Sequence, residues 1–246
     1  MSHNPSELPP YSEKHDSEEK STPTSIQTTT NRIAGTINTC SVKDGQVDYF
    51  TVVRDSPTSY HVSLTIDPTP IYRIELVSDS TKLGDIQVFP ANDPNLPAIA
   101  AARLSTNPKK SKTEPAATTC VSSPHDPNST WWPLTRSSTV LLTGIVSPIP
   151  IITVPGRAAI THNFSWEISS EPIYRLWWCG QLPFVPKSGF VHVPRGPEYQ
   201  FAAMTRKSAA GGENILEIRR GGGLDFELTV LLHFFVLVHM EKGQLL

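Results

Sequence analysis

The C-terminal stretch 225–240, which reads DFELTVLLHFFVLVHM, decides how the rest of the chain has to fold. From residue 228 to residue 240 every side chain is apolar except those of Thr229, His233 and His239. A helix that is apolar on every side has to be buried on every side, in a protein core or in a membrane. The remaining sequence must therefore supply a surrounding core, or the segment must enter a bilayer.

The residues around this stretch carry the usual signals for helix ends. Asp225 follows the glycine run 221–223 and is a suitable N-cap, while Lys242 and Gly243 suit the C-terminal end. We therefore predict a helix over 226–242. Because a bilayer crossing needs roughly 20 apolar residues and this run has 13 with two histidines among them, a core helix is favoured. A tail anchor and β-strands are the alternatives.

Upstream of the helix the pattern changes to a period of two, which is typical of β-strands. Tyr60, Val62, Leu64 and Ile66 alternate with more polar residues, and further short apolar runs are bounded by Gly, Pro, Asn or Asp. About eleven strands are predicted in this way. Charged residues make up only 18% of the chain and there are 23 prolines, a composition that favours strands and turns over surface helices.

An internal repeat relates two parts of the strand region at an offset of 102 residues, the offset between Tyr72 and Tyr174. Segment 62–74 then aligns with segment 164–176, and 99–102 aligns with 201–204 without a gap. Two similar strand series have to bury their inner faces against each other or close on themselves. The identical pairs are Ser63 and Ser165, Ile66 and Ile168, Pro70 and Pro172, Ile71 and Ile173, Tyr72 and Tyr174, and Arg73 and Arg175.

A repeated strand series followed by a C-terminal hydrophobic helix resembles the tubby C-terminal-like fold, which phospholipid scramblases and plant LURP-one-related proteins share in outline. The resemblance is closest to small fungal members of that superfamily and covers about residues 34–246. The residues that carry it are Phe164-Ser-Trp166, Ile173-Tyr174-Arg175-Leu176, Leu216-Glu217-Ile218, the glycine run 221–223 and the stretch 225–238. The chain lacks the C-terminal motif of true tubby proteins and the calcium-binding segment of scramblases.

The resemblance implies an all-β fold, a closed antiparallel barrel of about twelve strands from two pseudo-repeated halves that encloses the C-terminal hydrophobic α-helix. Residues 1–33 are expected to form a disordered acidic tail, because they are too polar to offset the entropy of ordering. Residues 34–246 form the barrel domain, with a disordered insertion at about 105–130 and the central helix at about 225–242.

Catalytic and metal-binding patterns are not found in the sequence. It contains no GxSxG, HExxH, GxxxxGK or GxGxxG motif, and its three cysteines are far apart along the chain. His233 and His239 are six positions apart and fall on different helix faces, so buried core histidines are expected rather than metal ligands. We expect no enzyme activity, no catalytic residue, no cofactor and no metal.

Two basic pairs, Arg206-Lys207 and Arg219-Arg220, close two late strands and form the candidate lipid-binding site. If those strands are neighbours, the four cations face one anionic headgroup. The resemblance implies the same ligand class, because tubby-like domains bind phosphoinositides through basic residues on barrel strands. A net charge of −2 argues against nucleic acid as the main partner.

The N-terminal tail carries a second candidate site, Leu8-Pro9-Pro10-Tyr11, which fits the short proline-tyrosine ligands of WW domains. No secretory or mitochondrial leader is recognised in residues 1–20, which predicts a cytoplasmic protein, peripheral at membranes. The predicted function is a non-enzymatic intracellular binding module or adaptor for anionic phospholipid or phosphoinositide. A scramblase-like lipid protein that uses its C-terminal segment and a structural protein without ligand are the alternatives.

Overall fold

The computed structural model describes residues 40–77, 83–105, 115–139, 142–168, 173–184, 196–205 and 214–242. Short 3-10 helices at Val42–Asp44 and Pro197–Tyr199 accompany the main elements. The predicted tail over 1–33 lies outside the described residues. Within them the main elements are β1 (Val47–Ser56), β2 (Ser59–Leu64), β3 (Asp67–Leu76), β4 (Ile86–Pro90), β5 (Ala100–Leu104), β6 (Ala117–Cys120), β7 (Trp132–Thr139), β8 (Leu142–Ile151), β9 (Ile160–Ile168), β10 (Ile173–Trp178), β11 (Gln200–Thr205), β12 (Asn214–Arg219) and α1 (Leu224–Lys242).

The strands form one closed antiparallel barrel in which each strand pairs with the next along the chain. Strand β12 closes the barrel by pairing with β1, in a register that runs from Val47 opposite Arg219 to Val52 opposite Asn214. Closure leaves no exposed sheet edge. The predicted closed barrel of about twelve strands with a C-terminal helix is confirmed.

Helix α1 lies inside the barrel, which explains why it is apolar on every side. It begins at Leu224, so Asp225 lies in its first turn and the N-cap prediction for that residue was wrong. Gly223 precedes the helix with a φ of 91°, a conformation that glycine adopts readily and that turns the chain from the wall into the interior. None of the described helices has the length and apolarity that a membrane crossing requires. The apolar side chains of α1 buried in the core are Phe226, Leu228, Val230, Leu231, Leu232, Phe234, Phe235, Val236, Leu237 and Val238.

The helix packs against β4, β5, β6, β8 and β12. The inward residues of β5 are the fully buried Ala100 and Ala102, and small side chains let a helix approach the wall closely. Across the barrel the space is filled by aromatic rings, with the Phe164 centroid 5.4 Å from that of Phe201 and 5.7 Å from that of Phe226. Small residues on one wall and large ones on the other accommodate the helix at protein packing density.

Strand β6 corrects the prediction of a disordered insertion over 105–130. It pairs with β5 through Ala101 opposite Cys120 and with β7 through Ala117 opposite Leu134. Its residues are Ala, Thr, Thr and Cys, so it lacks the large apolar side chains that mark a strand in sequence. Small residues suit this position because the helix packs against this wall. Residues 106–114 lie outside the described part of the chain.

The repeat found in the sequence yields similar hairpins with different registers. Tyr72 in β3 lies opposite Val62 in β2, whereas its counterpart Tyr174 in β10 lies opposite Ile168 in β9. The β2–β3 pairing also shifts its register between positions 62 and 64. The aligned segments 99–102 and 201–204 also differ in their partners, because β5 pairs with β4 whereas β11 pairs directly with β10. The repeated motif therefore specifies two successive strands and not their exact pairing.

Among the glycines between β12 and α1, Gly221 is the one whose replacement we expect to lower the stability of the protein most. Its φ is 90°, and a Cβ there would lie 2.6 Å from the carbonyl oxygen of Cys40 and 2.9 Å from the backbone nitrogen of Val42. Gly221→Ala should lower the free energy of unfolding by about 2 kcal/mol or more, measured by urea denaturation. Gly156→Ala is the control, because φ is 74° there but nothing lies within 4 Å. Equal losses of unfolding free energy in the two variants would show that the backbone clash at Gly221 is not the cause.

Candidate functional site

Of the four cations in the predicted lipid site, Arg219 and Arg220 belong to the described residues. Arg206 and Lys207 lie outside the described residues, but they follow Thr205, which pairs with Ile215 near the start of β12. Arg219 is four residues further along β12, a distance of about 13 Å at roughly 3.3 Å per residue. The register therefore places Arg219 about 13 Å along the sheet from Thr205, the last described residue before the first basic pair.

Arg219 is directed into contacts within the protein. It is only 7% exposed, one of its terminal nitrogens donates a hydrogen bond to the carbonyl oxygen of Glu198, and its guanidinium carbon lies 4.8 Å from the ring centroid of Phe201. Burial lowers the pKa of Arg219, and the negative charge of Glu198 partly offsets this. The side chain therefore fastens the segment before β11 to the end of β12.

Arg220 is held in an ion pair with Asp48 on the neighbouring strand. Its Nε lies 3.0 Å and 3.1 Å from the two carboxylate oxygens, and a terminal nitrogen also donates to Oδ1. The hydrogen bonds to Asp48 raise the pKa of Arg220. The Arg220 backbone N–H donates to the carbonyl oxygen of Gln46 at 2.8 Å. An anionic ligand at Arg220 would have to compete with the Asp48 carboxylate.

A small pocket lies where β12 leads into α1, and charges of both signs line it. Its wall includes Asp48, Arg219 and Arg220, the glycine run 221–223, and Glu227 at the start of the helix. The pocket has as many carboxyl groups as guanidinium groups, and all four already have hydrogen-bond partners within the protein. It therefore has no net preference for an anionic ligand. The pocket is therefore a polar junction at the helix N-terminus rather than a phosphate cradle.

Glu227 is the buried acid of this junction. It is 5% exposed, and the Tyr72 hydroxyl donates a hydrogen bond of 2.6 Å to its Oε1. The pKa of Glu227 is raised to about 7, chiefly by burial and also by the charge of Asp48, while the hydrogen bond from Tyr72 acts in the opposite direction. Sequence analysis missed this pair. Its only signal was a glutamate at the start of an apolar helix and a tyrosine in the repeated IYR motif.

The interior histidine His233 is neutral and fully buried, as predicted for a core histidine. The indole N–H of Trp166 donates to its Nδ1 at 3.1 Å, and burial lowers the pKa of His233 to about 3. His239 is only half-buried. Over the described parts of the chain, no group of three or more His, Cys, Asp or Glu side chains is arranged to hold a metal ion.

The WW-ligand motif at 8–11 lies outside the described residues, so its assignment rests on sequence.

Comparison of the chain with protein-family models, with curated proteins and with solved structures found no match. Membership of the tubby-like superfamily accordingly stays a prediction, based on the residues that carry the resemblance.

Proposed function

We propose that this chain is a non-enzymatic binding module, cytoplasmic and peripheral at membranes, that takes its ligands on the outside of the barrel. The observation that carries this proposal is the position of α1, whose apolar side chains fill the interior. In a barrel whose interior is occupied by its own helix, loops and outer faces are the surfaces offered to ligands. The resemblance to tubby-like domains supports the same conclusion.

Anionic phospholipid, in particular phosphoinositide, is the proposed ligand, and we assign its main contact to Arg206 and Lys207. Clustered basic residues favour anionic membrane surfaces. Arg219 and Arg220 are assigned a supporting role, because both guanidinium groups are engaged within the protein. The proposed lipid contacts are thereby reduced from four residues to two, while Arg219 and Arg220 hold the end of β12 to the neighbouring segments.

Charge reversal of the first pair tests this assignment. The double substitution Arg206→Glu and Lys207→Glu should weaken sedimentation of the full chain with phosphatidylcholine vesicles containing phosphoinositide by about thirtyfold, at roughly 1 kcal/mol per lost basic contact. Its urea midpoint should stay unchanged. Vesicles of phosphatidylcholine alone are the control for non-electrostatic adsorption. Unchanged sedimentation of this variant would refute the lipid assignment.

Neutralisation of the second pair should give the opposite pattern. Arg219→Gln with Arg220→Gln should lower the free energy of unfolding by about 2 kcal/mol, because it breaks hydrogen bonds to charged groups. Vesicle affinity per folded molecule should stay within about twofold of the wild type under conditions where both are folded. A large loss of vesicle binding without loss of stability would show that Arg219 and Arg220 contact the lipid directly.

A WW-domain protein is the second proposed partner, through Leu8-Pro9-Pro10-Tyr11. Its support is the sequence motif alone. A labelled peptide of residues 5–14 should bind an isolated WW domain, and Tyr11→Ala should abolish the binding. If neither the vesicles nor the WW domain binds, the alternative of a structural protein without ligand gains support.

A further inference from the structure

The connection between β8 and β9 carries an exposed tip with few polar side chains. Every residue from 154 to 161 is exposed, and the stretch reads VPGRAAIT. Val154 is 54% and Ile160 is 46% exposed. Ala158-Ala159-Ile160 is a run of three exposed apolar residues, a pattern that protein surfaces avoid unless it has a function. We call residues 154–160 the β8–β9 tip.

The β8–β9 tip projects from a fixed base. The Arg157 N–H donates to the Val154 carbonyl oxygen at 3.1 Å and closes a tight turn. Gly156 lies within this turn with a φ of 74°, and nothing lies within 4 Å of the position that its Cβ would take. At the base, the Ile152 N–H donates to the Gly222 carbonyl oxygen at 2.8 Å. The tip is therefore held at its root while its turn is open to the surroundings.

Arg157 is the one charged residue of the β8–β9 tip. It is exposed, and its guanidinium makes neither a hydrogen bond nor an ion pair in the described part of the chain. The adjacent loop 121–131, between β6 and β7, has one acid, Asp126, whose carboxylate accepts the Asn128 N–H at 2.9 Å. Apolar side chains around one available cation match an anionic bilayer surface, where a long arginine side chain keeps its charge at headgroup level.

The β8–β9 tip and the first basic pair belong to opposite ends of the barrel. Strand β9 runs from Ile160 at the tip to Ile168, about 26 Å at roughly 3.3 Å per residue. Ile168 lies opposite Tyr174, and the residue before it in β10, Ile173, lies opposite Thr205. Thr205 is the last described residue before the first pair. A bilayer at the tip is therefore contacted independently of that pair.

We propose that the β8–β9 tip is a second membrane contact, which inserts Val154, Ala158 and Ala159 into the interfacial layer of an anionic phospholipid bilayer. Arg157 then pairs with a lipid phosphate or carboxylate. The hot spots of protein interfaces are large side chains such as Trp and Tyr that fill pockets, and the tip has none, whereas a bilayer accepts small apolar side chains of any arrangement. The proposal goes beyond the headgroup site, because its ligand is the bilayer surface and it does not use the first pair.

A fluorophore at position 158 of the full chain reports insertion of the tip. Ala158→Cys is labelled with the environment-sensitive dye NBD in a chain that also carries Cys40→Ser and Cys179→Ser, while Cys120 is fully buried and stays in place. The chain carries the charge reversal of the first pair as well, which removes binding at that site. Phosphatidylcholine vesicles containing phosphatidylserine should shift the NBD emission to shorter wavelength, and lipids with a spin label close to the headgroup should quench it.

Substitutions in the tip should weaken this response by amounts that reflect their chemistry. Val154→Asp should raise the lipid concentration at half-maximal response at least about tenfold, whereas the matched control Val154→Leu should not raise it. Arg157→Gln should raise it about fivefold, as should the omission of phosphatidylserine. Arg54→Gln is the control for net charge, because Arg54 is exposed on the β1–β2 hairpin at the other end of the barrel, and it should have less than a twofold effect. All variants should keep the urea midpoint of the labelled parent chain.

An NBD emission that vesicles leave unchanged would overturn the proposal, as would a response that Val154→Asp does not weaken. A spectral change that grows with protein concentration in the absence of vesicles, and that Val154→Asp abolishes, would also overturn it, because a second copy of the chain would then be the occupant. These outcomes are distinct from failure of the headgroup site, which is measured by sedimentation of the chain with the first pair reversed and an unlabelled, unaltered tip.

Discussion

A chain that ends at Gly223 is expected to show no cooperative unfolding transition. The removed helix contributes ten apolar side chains to the core, and full burial of one such side chain is worth about 1.5–3 kcal/mol. Their sum exceeds the net stability of about 5–15 kcal/mol that a typical domain has. The strands would be left around an empty apolar interior. Circular dichroism with thermal and urea denaturation measures this outcome.

Leu232→Met in the full chain is the control for the truncation. Leu232 is fully buried, and a volume-conserving replacement there should cost less than about 1.5 kcal/mol. If the truncated chain instead keeps a β-rich spectrum and a sharp transition, the helix is not needed for the fold. That result would favour the alternative in which the C-terminal segment acts at a bilayer, because such a segment has to be separable from the barrel.

Glu227→Gln is expected to make the protein more stable above pH 7 by about 3 kcal/mol. The pKa of Glu227 is raised from 4.5 to about 7 in the folded protein, and each unit corresponds to about 1.36 kcal/mol. A glutamine side chain cannot ionise and can still accept the hydrogen bond from Tyr72. The free energy of unfolding, measured by urea denaturation across a pH series, tests this difference.

The pH range of the effect follows from the sign of the shift. Below pH 4.5 the carboxyl group is protonated in both states, so it carries no cost of ionisation. As pH rises from 4.5 to 7 the unfolded chain ionises more readily than the folded chain, and stability is lost progressively until the full penalty is present above pH 7. The variant and the wild type should therefore have similar stability near pH 4 and diverge above it.

Glu75→Gln is the control for this pH dependence. Glu75 is on the surface, where its side chain is 38% exposed and lies 2.9 Å from Arg73. Its replacement should change stability by less than about 1 kcal/mol, without the divergence between pH 4.5 and 7. A pH profile of Glu227→Gln that runs parallel to that of the wild type would show that Glu227 does not carry the buried charge.

The candidate site was less predictable than the fold. Sequence identified Arg219 and Arg220 as cations at a strand end, but their partners Glu198, Phe201 and Asp48 lie 21, 18 and 172 positions away along the chain. No local pattern distinguishes an arginine that faces solvent from one that fastens two segments together. In the same way, Tyr49 and Glu217 become neighbours only when β12 closes on β1.

The sequence by itself determined the class of the fold. The apolar run of α1 requires burial on every side, and the period-two strands supply a sheet that encloses it, because both features depend only on residue type and spacing. Tertiary structure alone decided the register of the repeated hairpins, the place of β6 in the wall and the partners of Glu227 and Arg220. These depend on contacts between residues distant in sequence, and the pairing is selected by how well side chains pack around the helix.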